Sequence, residues 1–82
     1  MKNKPQTPKG RHYRDERAIK ALGKKVRLLL EAKNLSIEEA ANPDIHPTQW
    51  ARIEIGISNA TISYIVRIAK KLGVPPSELL NF

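Results

Sequence analysis

The sequence predicts an all-α domain of five helices, and three observations carry that prediction. Apolar residues recur at helical spacing in two long stretches. Capping and breaking residues fall where those stretches begin and end, and no segment reads as a strand. With 82 residues the chain has room for one small domain and no second core. Its 40% hydrophobic and 28% charged content suits a folded domain rather than a disordered chain.

Helix 1 is expected from about Asp15 to Lys33, because Ile19, Leu22, Val26, Leu29 and Leu30 share one face while Lys20, Lys24 and Arg27 lie elsewhere on the wheel. Asp15 and Glu16 at its start and Lys33 at its end suit the helix dipole, and Asn34 is a left-handed terminator. Ser36-Ile37-Glu38-Glu39 forms a capping box that opens helix 2. Pro43 disfavours helical geometry at Asn42, so helix 2 is confined to about Ile37 to Asn42. His46-Pro47 places a cap before a proline at the first helical position, and helix 3 runs from there to about Ile55, ending at Gly56.

Helix 4 has Thr61 as its cap, Gly73 as its stop, and Ile62, Ile65, Val66, Ala69 and Leu72 as an apolar stripe. Helix 5, about Pro76 to Leu80, is expected to place Leu79, Leu80 and Phe82 on the core. Within helix 3, Trp50 and Ile53 share a face that points to the core, while Thr48, Gln49 and Arg52 share another. Ala40 and Ala41 permit a close crossing of helices 2 and 3, and Ala41→Leu is expected to push helix 3 off its angle.

Fifteen Lys and Arg against eight Asp and Glu give a net charge of +7 and a pI near 10.1, which points to a polyanionic partner. Residues 1–14 hold Lys2, Lys4, Lys9, Arg11 and Arg14 with no acid, so most of the excess sits there. With Pro5, Pro8 and Gly10 and little that is apolar, this segment is expected to be a disordered basic N-terminal arm preceding a domain of residues 15–82. A merely solubilising terminus is the plain alternative.

The absence of cysteine excludes disulfides, thiolate zinc sites and thiol nucleophiles. No run of residues is apolar and long enough for a membrane span or a signal peptide, so a cytoplasmic protein is expected. His12 and His46 lie far apart, and no catalytic triad, metal-ligand spacing or glycine-rich phosphate loop is present. Neither an enzyme nor a cofactor nor a small-molecule substrate is therefore expected.

Two short helices joined by a tight turn, the second with a polar face opposite a tryptophan, have the form of a helix-turn-helix. Four segments in order, Leu22-Gly23-Lys24-Lys25-Val26-Arg27, Leu35-Ser36-Ile37-Glu38-Glu39-Ala40-Ala41, Trp50-Ala51-Arg52-Ile53-Glu54-Ile55-Gly56 and Ile65 to Val74, resemble the phage repressor and Cro-like family, often called XRE-type. The resemblance covers about residues 18 to 82 and implies a lambda-repressor-like fold that binds double-stranded DNA. The sequence departs from the family pattern in a turn shortened around Pro43, in Pro47 opening helix 3, and in Ile37 where a phosphate-contacting glutamine is common.

A helix fits the major groove with only its first turns facing base edges, and here those turns carry Thr48, Gln49 and Arg52 as the candidate base contacts. Gln can pair with adenine N6 and N7, Arg with guanine O6 and N7, and Thr offers a hydroxyl or a methyl. Each has an ordinary reading as a surface residue, and Arg52 could instead join an ion pair with Glu54. The resemblance further implies phosphate contacts at the start of helix 2 and in the loop after helix 3, here Ser36, Ile37, Ser58 and Asn59. From the arm, Lys9, Arg11 and Arg14 are the candidate phosphate contacts.

The expected function is sequence-specific DNA binding by a repressor-like transcriptional regulator. A single domain covers little DNA, so affinity calls for a homodimer, with helix 5 and its Leu79, Leu80 and Phe82 as the candidate face. A protein-interaction module, antitoxin-like or bridging, is the competing reading.

Overall fold

The computed structural model describes residues 13–41 and 45–82. It contains α1 (Glu16–Ala32), α2 (Ile37–Ala40), α3 (Pro47–Glu54), α4 (Ile62–Leu72) and α5 (Pro76–Leu79), with no strand among the described residues. Lys9 and Arg11 and the rest of the arm up to His12 lie outside the described residues, as does Pro43, where a shortened turn was expected.

Four of the five described helices, all but α5, start on a side-chain cap. Asp15 accepts from the Ala18 N–H, Ser36 from Glu39, His46 from Thr48 and Thr61 from Tyr64. The stops share one pattern: Leu35 N–H donates to Leu30 O, Ile57 N–H to Arg52 O, and Val74 N–H to Ala69 O. These are six-to-one closures over a left-handed residue, Asn34, Gly56 or Gly73 in turn. α2 is shorter than expected, ending at Ala40 with Ala41 already extended, before the proline that was expected to limit it.

The core joins Leu22, Val26 and Leu30 of α1 to Ala40, Trp50, Ile53, the inner face of α4 and Leu79. Ala40 is fully buried whereas Ala41 is only partly covered, so the close approach of α2 to α3 falls at Ala40 rather than Ala41. Ile45 and Trp50 occupy the N′ and N4 positions of α3, those of a hydrophobic staple, and both are buried. The Trp50 indole N–H is buried with no acceptor among the described residues.

Two expectations about apolar faces are corrected. The buried side of α4 is Ile65, Ile68, Ala69 and Leu72, while Ile62 and Val66 are 68% and 48% exposed. The buried arc is thus turned by about 50° from the expected stripe, because α4 carries a wider apolar arc than its neighbours cover. In the C-terminal segment only Leu79 reaches the core; Leu80 and Phe82 remain exposed, since the short α5 can aim one leucine inward and its neighbour then points away. Lys25 of α1 and Glu78 of α5 pair across 3.6 Å.

α1 makes its most extensive contact with α3, and Gly23 allows it. A Cβ at Gly23 would lie 2.5 Å from Glu54 O and 2.6 Å from Ile53 O. Only a residue without a side chain lets the two backbones meet there.

Candidate nucleic-acid interface

α3 is amphipathic across its width. Trp50 and Ile53 are fully buried, while Thr48 and Arg52 are exposed and Gln49 is partly covered. Pro47 costs nothing at the first position because the N–H it lacks would have no partner inside the helix. The cap comes instead from His46, whose Nδ1 accepts from the Thr48 N–H at 3.1 Å. Among the described residues Arg52 forms no ion pair, so the expected competition from Glu54 is not realised. Its guanidinium is presented to solvent one turn beyond Thr48.

Gln49 and Ser58 are brought together across the end of α3. The Gln49 Nε2 donates to Ser58 Oγ at 2.9 Å, so a candidate base contact and a candidate phosphate contact share one hydrogen bond. The loop that carries Ser58 is held from two sides. Ile57 and Ser58 N–H both donate to Arg52 O. On the opposite side Arg14 Nη2 donates to Ile57 O at 3.2 Å and Asn59 Nδ2 donates to Tyr13 O at 3.1 Å. Arg14 also pairs with Glu16 at 2.8 Å, which lowers the Glu16 carboxyl below its ordinary range, chiefly through that hydrogen bond. Two of the arm and loop candidates, Arg14 and Asn59, are thus engaged within the fold.

Ser36 stands apart at the start of α2. Its Oγ accepts from Glu39 N–H at 3.1 Å and its own N–H donates to Glu39 Oε1 at 2.8 Å. The backbone bond, followed by the hydroxyl, lowers the Glu39 carboxyl. Ile37 is partly covered, and its backbone N–H is among the first of α2, where helical partners are lacking.

Three contributors escape a reading of the sequence alone. Gly23 sets the spacing of α1 and α3, and the signal for it is a glycine inside an otherwise strongly periodic helix. Ile45 is a buried staple residue, and its position just before a cap is the signal. Tyr13 holds Asn59 through its backbone carbonyl, which no residue-type pattern reveals. Among the described residues no group of three or more His, Asp and Glu could hold a metal ion.

A short α2 crossing an α3 that hides its indole and shows its polar side defines a helix-turn-helix domain. Comparison with known proteins places it further. A helix-turn-helix family profile matches residues 26–79, and the chain is 42% identical over 62 residues to the control protein C.BamHI of Bacillus amyloliquefaciens, covering 73% of this chain and 76% of that protein. No solved structure matches the chain. This chain belongs to the XRE-type helix-turn-helix family of DNA-binding transcription regulators.

Proposed function

We propose that this chain is a repressor-like regulator that binds double-stranded DNA sequence-specifically, docking α3 in the major groove. The observation that carries the reading is the division of α3 into a buried Trp50 and Ile53 and an outward Thr48, Gln49 and Arg52. In this docking Gln49 pairs with adenine, Arg52 with guanine and Thr48 with a neighbouring base or its methyl, each good pair discriminating by about 1–3 kcal/mol. Ser36, the N–H of Ile37, Ser58 and Asn59 flank α3 and meet the phosphates.

Lys9, Arg11 and Arg14 add phosphate contacts from the arm. Tyr13 and Arg14, which follow the arm's other candidates, are bonded to the loop at residues 57–59 beside the end of α3. The exposed Leu80 and Phe82, with Ala18 and Ala21 of α1 beside the phenyl ring, supply an apolar face for a symmetric dimer reading two half-sites. No described helix is long and apolar enough to cross a membrane, and we place the protein in the cytoplasm with a non-catalytic role.

Fluorescence anisotropy on random duplex DNA, titrated against salt, tests this directly. Neutralising Z phosphates gives a log-log slope of about −0.9Z. Salt-dependent binding at low salt is expected, together with enrichment of one sequence motif from a random duplex library. Absence of any binding at low salt would leave the protein-interaction reading in its place.

A further inference from the structure

We propose that Ser58 is a specificity-determining positioning residue: its hydroxyl holds the Gln49 amide in place to read adenine. The proposal rests on the DNA reading above and adds a residue that itself need not touch a base.

An unrestrained glutamine has freely rotating torsions, and its amide samples many positions. Such a side chain discriminates poorly until something fixes it. Here Gln49 Nε2 donates to Ser58 Oγ at 2.9 Å. The anchor is not a free loop hydroxyl, because the Ser58 N–H donates to Arg52 O. The residues on either side of Ser58 are tied to the start of the domain, Ile57 O by Arg14 and Asn59 to Tyr13 O. The backbone that carries the hydroxyl is therefore tied to α3 at one edge, and its neighbours to the lead-in of α1 at the other.

Donor and acceptor accounting then selects the base. The amide nitrogen carries two hydrogens, and Ser58 takes one. The second N–H and both lone pairs of Oε1 have no partner among the described residues. A donor beside an acceptor matches the N7 acceptor and N6–H donor of adenine, whereas guanine presents two acceptors, N7 and O6. Because Gln49 is the donor in its bond with Ser58, the hydroxyl keeps its own proton, which can go to a phosphate oxygen in the same complex. The loop thereby links the backbone contact that sets register to the side chain that reads sequence.

The test is selection of bound duplexes from a random library by the full chain, carried out in parallel with Gln49→Ala, Ser58→Ala and Ser58→Thr, with thermal unfolding of each. The Gln49→Ala selection identifies the position that Gln49 reads. We expect adenine there for the wild type, a fall of about three- to tenfold in adenine preference at that position alone for Ser58→Ala, and recovery in Ser58→Thr, which keeps the hydroxyl. An unchanged motif in Ser58→Ala overturns the proposal. So does equal weakening on all duplexes, which marks a phosphate contact only, and so does guanine at the Gln49 position. A wild-type chain that enriches no motif overturns the DNA reading itself, which keeps the two failures distinct.

Discussion

Replacing Gly23 by alanine sets two opposed effects against each other, and the geometry decides the sign. In an open helix the change removes a flexible residue and stabilises by about 1 kcal/mol. At this position the new methyl would sit 2.5 Å from Glu54 O and 2.6 Å from Ile53 O, about an ångström short of van der Waals contact. Both opposing atoms are backbone, so no side chain can swing aside. α3 cannot retreat either without uncovering Trp50 and Ile53, which are fully buried. Overpacking of this kind costs about 1–3 kcal/mol, and the rigidity of both partners argues for the upper half of that range. The net loss is about 1–2 kcal/mol, a fall in Tm of about 5–15 °C for a domain of this size. Circular dichroism melts of the two proteins measure it. An unchanged or higher Tm for Gly23→Ala would mean that α1 and α3 do not meet backbone to backbone, and the account of what positions α3 would fail with it.

Gly56 sits at φ 83° at the end of α3, and a Cβ there would meet the Lys20 side chain at 3.1 Å. Gly56→Ala is expected to lose about 1–2 kcal/mol, mostly from the left-handed backbone, as a lower midpoint in urea unfolding at unchanged m-value. The Glu39 carboxyl is lowered in the folded state by the Ser36 N–H and hydroxyl, so its stabilisation is present above the unfolded carboxylate range and is lost as pH falls through the lowered folded value. Glu39→Gln, followed by melts across the acid range, should therefore show a shallower acid loss than wild type; parallel curves would contradict it. Leu80→Ser with Phe82→Ser touches exposed groups only and should leave the Tm of the isolated domain within a few degrees while shifting sedimentation from dimer to monomer. A sedimentation pattern identical to wild type would place the dimer face elsewhere.

Most helix ends were legible in the sequence because each is a local hydrogen bond between residues two to five apart; the end of α2, at Ala40 rather than near Asn42, was not. Ser36, His46 and Thr61 cap as their positions imply, Asp15, read as a charge suited to the helix dipole, caps α1 as well, and Asn34, Gly56 and Gly73 all take positive φ. The outward face of α3 was legible for a related reason, since a period of 3.6 residues separates Trp50 and Ile53 from Thr48 and Arg52 without any knowledge of neighbours. What the period cannot decide is how much of an apolar arc is covered. Ile62 and Val66 read like core and are exposed, and Ile68 is buried in their stead, because the choice belongs to the helices packed against α4. The Gln49 to Ser58 and Asn59 to Tyr13 bonds span 9 and 46 residues, and no spacing rule connects such partners.

The two halves of α3 are held by different means, and this bears on how the interface would respond to change. The N-terminal half rests on side chains: Ile45 and Trp50 in the core, Ala40 of α2 beneath them, and the His46 cap. The C-terminal half rests on α1 through close approaches that involve backbone. Gly23 lies against the Ile53 and Glu54 carbonyls, Gly56 against Lys20, and Arg14 donates to the Ile57 carbonyl. Lys20 and Gly23 are three residues apart and so share one face of α1, which acts as a rail beneath the end of α3 and the start of its loop. Arg52 and Ser58 sit at that end, Thr48 at the other. Under the proposed docking, substitutions along the rail should therefore alter discrimination at the base assigned to Arg52 before that at the base assigned to Thr48, as read by selection of bound duplexes. Substitutions at Ala40 or Ile45 should act in the reverse order.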